Sequence, residues 1–131
     1  MELLKLQNGM LMQCYDSDNC LYEDGNNSCI GYCLFNEDGS YEDGGEFDYN
    51  SDDYLTEDEV LKYVIDFATG EAMDFTVIAD TSDCSYETFD ELLEELDPKD
   101  LNNLADHLTD PSLIMKVKEK CLQEILNRGG R

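Results

Sequence analysis

A long interval without positive charge is the feature that most constrains this chain. Between Lys5 and Lys62 there is no Lys, Arg or His, although the interval contains fifteen Asp and Glu residues. Over all 131 residues the formal net charge is −24. This charge opposes direct binding to nucleic acid or to an anionic membrane, because both are polyanions. It leaves three explanations: a basic protein as partner, bound cations, or solubility alone.

The positive charge of the chain is concentrated at its C-terminal end. Residues 1–110 contain thirty acidic and three basic residues, whereas residues 111–131 contain two acidic and five basic ones. We expect the basic last helix either to pack on the acidic part of the same chain or to mediate a dimer. The oligomeric state, monomer or dimer, stays open at this point.

Length and composition predict a single domain over residues 1–131. Hydrophobic residues make up 41% of the chain, which is enough for one modest core despite the charge. The N-terminal segment lacks the basic start and apolar run of a signal peptide, and no 18-residue apolar stretch is present. We therefore expect a cytoplasmic protein without membrane association, in which the six cysteines are reduced thiols.

Residues 1–80 are predicted to be mainly strands. Asn8-Gly9 between apolar residues is a strong hairpin signal, and the turn sequence NEDG at residues 36–39 ends another strand. A short strand is expected around residues 46–49, and a longer one at residues 73–80. Residues 28–35 alternate two sets of side chains, which predicts a strand buried on both faces. The two sets are Ile30, Tyr32 and Leu34 on one face and Cys29, Cys33 and Phe35 on the other.

The helices are predicted from their capping residues. Thr56 and Glu59 form a capping box at the start of a helix over residues 56–69, and Gly70 follows its end. Residues 85–128 are predicted to be helical, in segments that begin near Thr88, at residues 97–98 and at residues 110–111. This order of elements predicts an α+β fold. We expect a small antiparallel β-sheet from the N-terminal half with one helix inserted, and the C-terminal helices packed on or beside it.

The stretch DYNSDDYLTEDE, residues 48–59, resembles the calcium-binding loop of an EF-hand. The sixth loop position, normally glycine, is Asp53, and glycines replace the helix that should precede the loop. A capping box preceded by solvated acids explains the same residues, so we favour no metal here and keep calcium binding as the alternative. The ligands that the resemblance implies are Asp48, Asn50, Asp52, Tyr54 and Glu59.

No other motif predicts a cofactor or a catalytic site. Cys29 and Cys33 are about 13 Å apart on the predicted strand, too far for two ligands of one zinc ion, so that only a zinc site assembled across strands is left open. The single histidine, His107, stands on a predicted helix, where a structural or surface role is typical. The sequence contains no glycine-rich phosphate loop, nucleophile elbow or HExxH motif. We expect no enzyme activity and no cofactor.

Tyrosines are interleaved with the acidic residues of the first half. Tyrosine provides contact area at low entropic cost and is enriched in protein interfaces. We therefore expect the densest acidic run to bind the basic partner, with Tyr49 and Tyr54 as anchors. The predicted contact residues are Asp43, Glu46, Asp48, Tyr49, Asp52, Asp53, Tyr54, Glu57 and Asp58.

In charge, length and mixed strand–helix layout over residues 14–110, the chain resembles the acidic DNA-mimic inhibitor proteins of phages and mobile elements. Those proteins are directed at restriction or CRISPR nucleases. No motif of any one family is matched, so no binding residues are carried over. The resemblance implies a nucleic-acid mimic that fills the basic groove of a DNA- or RNA-processing enzyme. The alternatives are a calcium-binding protein that uses residues 48–59 and a non-catalytic accessory protein of a mobile element.

Overall fold

A five-stranded antiparallel sheet organises the part of the chain that the computed structural model describes, residues 2–16, 27–50, 56–81, 86 and 88–129. The strands are β1 (Glu2–Leu6), β2 (Leu11–Asp16), β3 (Asn27–Phe35), β4 (Tyr41–Asn50) and β5 (Phe75–Asp80). Their order in the sheet is β4-β3-β2-β1-β5, so β4 and β5 are the two edge strands. The helices are α1 (Glu57–Thr69), α2 (Phe89–Glu95), α3 (Pro98–Asp106) and α4 (Pro111–Gly129). The predicted α+β class is confirmed.

The sheet has a hydrophobic core on each face. Helix α1 packs on one face, which we call the α1 face, and α2 to α4 pack on the other, the α2–α4 face. Strand β3 serves both cores, because successive side chains point to opposite sides of a strand. Its predicted burial on two faces is confirmed: Ile30, Tyr32 and Leu34 belong to the α1 face, and Cys33 and Phe35 to the α2–α4 face.

Two turns of the same kind close the β1–β2 and β3–β4 hairpins of the sheet. At the first, the Leu6 amide donates to the Met10 carbonyl at 2.8 Å and the Gly9 amide donates to the Leu6 carbonyl at 3.0 Å. Gly9 has a φ of 97°, in the left-handed region that glycine adopts without a steric penalty. Residues 36–40 repeat these bonds, with Gly39 at a φ of 87°. Both are three-residue loops that end in a left-handed glycine, so the predicted hairpin at residues 8–9 and the predicted turn at residues 36–39 are confirmed.

Glycines on two strands are covered by tyrosines on the neighbouring strands. Tyr15 lies opposite Gly31 and Tyr32 lies opposite Gly45 in the ladder. A Cβ atom on Gly31 would overlap the ring of Tyr15, and one on Gly45 would lie 2.8 Å from the hydroxyl oxygen of Tyr32. The aromatic ring thus fills the space that the missing side chain leaves, an arrangement that stabilises glycine within sheets.

This covering of glycine explains the main error in the predicted secondary structure. The sequence predicted a short strand around residues 46–49, because Gly44 and Gly45 are poor strand formers. The observed strand β4 covers Tyr41–Asn50 and pairs with β3 along its length, with one register shift at residues 34–35. Strand β5 begins at Phe75, two residues after its predicted start.

The helix caps agree with the sequence. At α1 the Thr56 hydroxyl accepts from the Glu59 amide at 3.2 Å, and the Glu59 carboxylate accepts from the Thr56 amide at 3.4 Å, which confirms the capping box. Gly70 ends the helix in the left-handed conformation. At α3 the Asp97 carboxylate accepts from the Asp100 amide at 2.9 Å.

The basic helix α4 packs on α3 and forms ion pairs with the acidic helix α2 of the same chain. Lys116 forms an ion pair with Asp90, and Nζ of Lys120 lies 3.0 Å from Oε1 of Glu94. These exposed pairs contribute little individually, and the packing depends on buried Leu113 and Val117 of α4. The first of the two roles predicted for α4 is therefore observed, while its role in a dimer stays a prediction.

Candidate functional site

The edge strand β4 and the turn before it carry a group of carboxylates, which we call the acidic edge. Glu37, Asp38, Glu42, Asp43 and Glu46 are exposed, and Asp48 is half-buried. Among the described strands β4 pairs with β3 alone, so none of them covers its other side. The members of the acidic edge are Glu37, Asp38, Glu42, Asp43, Glu46 and Asp48.

The carboxylates of β4 point to both sides of the strand. Asp43 lies opposite Leu34 and is on the α1 face, whereas Glu46 and Asp48 are on the α2–α4 face. Asp48 accepts a hydrogen bond from the Cys29 thiol, with Sγ and Oδ1 2.7 Å apart. A partner that contacts both faces of this edge therefore meets negative charge on each.

The acidic edge has no cationic partner within the described part of the chain. The ion pairs there are made by Lys62 with Asp74, by Lys116 with Asp90, and by Lys120 with Glu94 and Glu124. None of these acids belongs to the acidic edge. Its charge is therefore not neutralised by a neighbouring lysine or arginine of the described residues.

Local hydrogen bonds keep one member of the acidic edge ionised. Asp38 Oδ1 accepts from the Ser40 hydroxyl at 2.6 Å and from the Ser40 amide at 2.9 Å. Hydrogen bonds to the charged form hold the pKa of Asp38 below its ordinary value, the Ser40 hydroxyl having the larger effect. Nearby, Asn36 donates to Glu42 at 2.9 Å. The carboxylates at this turn are therefore fixed in position before a partner arrives.

Exposed aromatic side chains accompany the carboxylates on the α1 face. Tyr63 and Phe67 of α1 are 51% and 57% exposed, although both are large. The ring of Phe67 makes an edge contact with Tyr32 at 6.1 Å and lies 5.6 Å from Phe47, measured between centroids. Asp43 and Tyr32 lie on the same face as diagonal neighbours in the ladder. Burial of the ring, and to a smaller extent the charge of Asp43, raise the pKa of the Tyr32 phenol.

The structure brings part of the predicted contact set together. Asp43, Glu46 and Asp48 lie on one strand, and Asp58 is exposed in the first turn of α1. Tyr49 is at the end of β4 and Glu57 begins α1, and only their backbones are described. The remaining predicted contacts, Asp52, Asp53 and Tyr54, lie outside the described residues.

Tyr63 and Phe67 are not among the interface aromatics predicted from the sequence. The signal was available, because the core stripe of this helix, residues 60, 61, 64, 65 and 68, leaves positions 63 and 67 on the outer side. Two aromatic residues four apart and outside the core stripe of a helix are unusual unless they contact something.

Two of the residues that the EF-hand resemblance selects as calcium ligands lie in a strand. Asp48 and Asn50 belong to β4, so the segment before residue 51 is extended where an EF-hand has a helix. The Glu59 carboxylate accepts from the Thr56 hydroxyl at 3.0 Å in addition to the Thr56 amide. Asp52 and Tyr54 lie outside the described residues. Within the described ranges, no group of three or more His, Cys, Asp or Glu residues is arranged to hold a metal ion.

The thiols in the described part of the chain are not joined in disulfides. Cys14, Cys29 and Cys33 are buried, and Cys121 is half-buried. Burial raises the pKa of Cys14 to about 12, and the nearby Glu2 carboxylate adds a smaller effect. Cys20 and Cys84 lie outside the described residues.

We expect Cys14 to resist alkylation at pH 8 in the folded protein, because the thiolate is the reactive species. Brief iodoacetamide treatment followed by peptide mass spectrometry should show Cys121 modified well before Cys14, while 8 M urea should make them equally reactive. Equal rates in the folded protein would contradict the buried, protonated state of Cys14.

A second surface feature, distant from the acidic edge, is a groove between β5 and α3. Its volume is about 550 Å³, and its polar walls include Asp80, Asp100 and Asn103. The Asn103 side chain donates to the Ile78 carbonyl at 2.7 Å and so occupies part of the strand edge. His107, which follows α3, has Nδ1 2.9 Å from the Asn103 carbonyl oxygen, a structural contact.

Comparison with known proteins gives no relative: no protein-family model, no curated protein and no solved structure matches the chain. Among the described residues, no helix combines the length and apolar character needed to cross a bilayer.

Proposed function

We propose that this chain is a non-enzymatic cytoplasmic protein that occupies the basic nucleic-acid-binding groove of a DNA- or RNA-processing enzyme. It acts as a nucleic-acid mimic and inhibits a host-defence nuclease, such as a CRISPR effector or a restriction enzyme. The observation that carries the proposal is the acidic edge, whose exposed carboxylates have no internal cationic partner among the described residues.

The charge density of β4 indicates that the contact with the partner extends beyond this strand. Ten strand residues span about 34 Å, so the four acids of β4 give roughly one charge per 8 Å. Duplex DNA presents one phosphate per about 1.7 Å of axis. Strand β4 alone is therefore a weak imitation of a duplex. The acids of the preceding turn and of α1 have to share the partner groove with it.

The rigid placement of the β4 carboxylates compensates for part of their lower charge density relative to DNA. Strand β4 is paired along its length with β3, which is buried on both faces. Carboxylates on such a strand lose little freedom on binding, so that less of the interaction energy is spent on ordering. Opposite charge across the interface speeds association, and desolvated carboxylate–arginine contacts slow release.

We expect the protein to displace nucleic acid from its target enzyme in a salt-dependent manner. A fluorescein-labelled duplex is bound to each of several purified restriction and CRISPR nucleases, and the protein is then added. The fluorescence anisotropy of the duplex should fall for the nuclease that the protein inhibits. Direct binding, measured by calorimetry, should weaken at least tenfold between 50 and 200 mM salt, because the contacts are ionic.

The enzyme for that assay is found by capture. Host proteins are retained on the immobilised chain, eluted with salt and identified by mass spectrometry. Failure to displace DNA or RNA from the retained enzyme at 50 mM salt would contradict the proposal. Displacement that is indifferent to salt would contradict it equally, since an apolar contact would then dominate.

A further inference from the structure

A shallow hollow lies beside Tyr63 on the outer side of α1. Its volume is about 220 Å³, its walls are largely apolar, and it is lined by Glu59, Lys62, Tyr63, Asp66 and Ala72. An apolar wall with an aromatic ring and two carboxylates at its rim is an unusual combination for a solvated helix surface. It matches one side chain, arginine, which has an apolar stem and a planar cation.

The carboxylates of the hollow remain available for a ligand. Glu59 uses one oxygen, Oε1, for the helix cap, so its other oxygen can accept from a partner. Asp66 contributes only its backbone carbonyl to the end of the helix, where the Gly70 amide donates to it at 2.8 Å. The lysine of the hollow, Lys62, lies 3.9 Å from Asp74, an acid outside the lining.

The aromatic ring that follows Tyr63 by one turn of α1 is held in place. Tyr63 and Phe67 are four residues apart and so lie next to each other on the helix. Contacts with Tyr32 and Phe47 fix the ring of Phe67 while leaving 57% of its side chain exposed. Through Tyr32 this surface continues to Asp43 of the acidic edge, a diagonal neighbour of Tyr32 on the same face of the sheet. A guanidinium that stacks on Tyr63 therefore lies beside the ring of Phe67, whose position these contacts already fix.

We propose that this hollow is an arginine subsite for the basic partner, a proposal that rests on the function proposed above. The guanidinium stacks on the ring of Tyr63 and donates to the carboxylates of Asp66 and Glu59. Lysine fits the hollow less well, because its ammonium is compact and strongly hydrated and cannot form two parallel bonds to a carboxylate.

The test compares two probes of equal charge, fluorescein-labelled nona-arginine and nona-lysine peptides. At 150 mM salt the protein should bind the arginine peptide about fivefold more tightly than the lysine peptide, as expected for cation–π and bidentate contacts. Tyr63→Ala should reduce this ratio to near one, and Tyr63→Phe should retain it because the ring remains. Asp66→Asn should lower the ratio, whereas Asp106→Asn on α3, with the same change of charge, should not.

Melting temperatures measured by circular dichroism separate loss of the subsite from loss of the fold. A ratio of one for the unaltered protein would overturn the inference, as would a ratio that Tyr63→Ala leaves unchanged. Either result would leave the proposed function standing, because displacement of nucleic acid from the enzyme measures that function separately. Leu122→Ala, an exposed apolar position on α4, is a further control and should not change the ratio.

Discussion

Replacement of both Asp43 and Glu46 by lysine is expected to weaken binding to the basic partner at least a hundredfold. The two side chains are exposed on opposite faces of β4, so each substitution turns an attraction into a repulsion on one wall of the partner groove. Breaking a desolvated charge pair at an interface costs about 2–5 kcal/mol, which corresponds to roughly thirtyfold or more for each. Competition for the target enzyme measures the change, and the loss should shrink as salt is raised.

The matched control is Asp80→Lys with Asp106→Lys. Asp80 ends β5, the opposite edge of the sheet, and Asp106 ends α3, and both are exposed. The control changes the net charge by the same amount. Because its two residues lie away from the acidic edge, it should weaken binding by no more than about fivefold, through loss of long-range attraction to the partner. If the two double variants lose affinity equally, total charge rather than the acidic edge determines binding, and the proposed site is wrong.

Phe35→Ala is expected to lower the free energy of unfolding by about 3–5 kcal/mol, the range for large aromatic truncations in a core. Phe35 is fully buried, and its ring lies 5.9 Å from Tyr41 and 5.5 Å from Phe89, measured between centroids. It therefore joins β3 to the start of β4 and to α2. Because domains are stable by only about 5–15 kcal/mol, this loss is a large part of the total.

Urea denaturation followed by circular dichroism measures the effect of this truncation. Phe67→Ala, which truncates an exposed ring, should cost less than about 1.5 kcal/mol, and Phe35→Leu should cost less than Phe35→Ala because it leaves a smaller cavity. Equal losses for Phe35→Ala and Phe67→Ala would contradict the placement of Phe35 in the core.

Most of the fold could be predicted because its signals are local. Thr56 and Glu59 determine the start of α1 through hydrogen bonds within one turn. Gly70 ends that helix because glycine adopts the left-handed conformation of the C-cap without a steric penalty. The burial of β3 on two faces followed from alternation alone. The extent of β4 could not be predicted in this way, because Gly45 is covered by Tyr32, which comes from the neighbouring strand β3 and is brought there only by long-range pairing.

The candidate site was predicted only in part, for a physical reason. Sequence spacing locates carboxylates along the chain, and it grouped Asp43, Glu46 and Asp48 in one acidic run, although it placed only Glu46 and Asp48 on a strand. It did not reveal that β4 is an edge strand, because strand order depends on long-range pairing. The contact of Phe67 with Phe47 and Tyr32 is also tertiary. The sequence could therefore show that Tyr63 and Phe67 lie outside the core stripe of α1, but not that these rings adjoin the acidic strand.

The glycine–tyrosine pairs have a consequence for how the strands find their partners. A slip of one residue would exchange the two faces of a strand, but a slip of two would keep apolar residues inside, so alternation does not exclude it. Tyr32 would then lie opposite Phe47 or Asp43 instead of Gly45, and Tyr15 would move from Gly31 to a neighbour that has a side chain. Each tyrosine ring thus fits only opposite its glycine, and the two pairs together restrict β2, β3 and β4 to a single alignment.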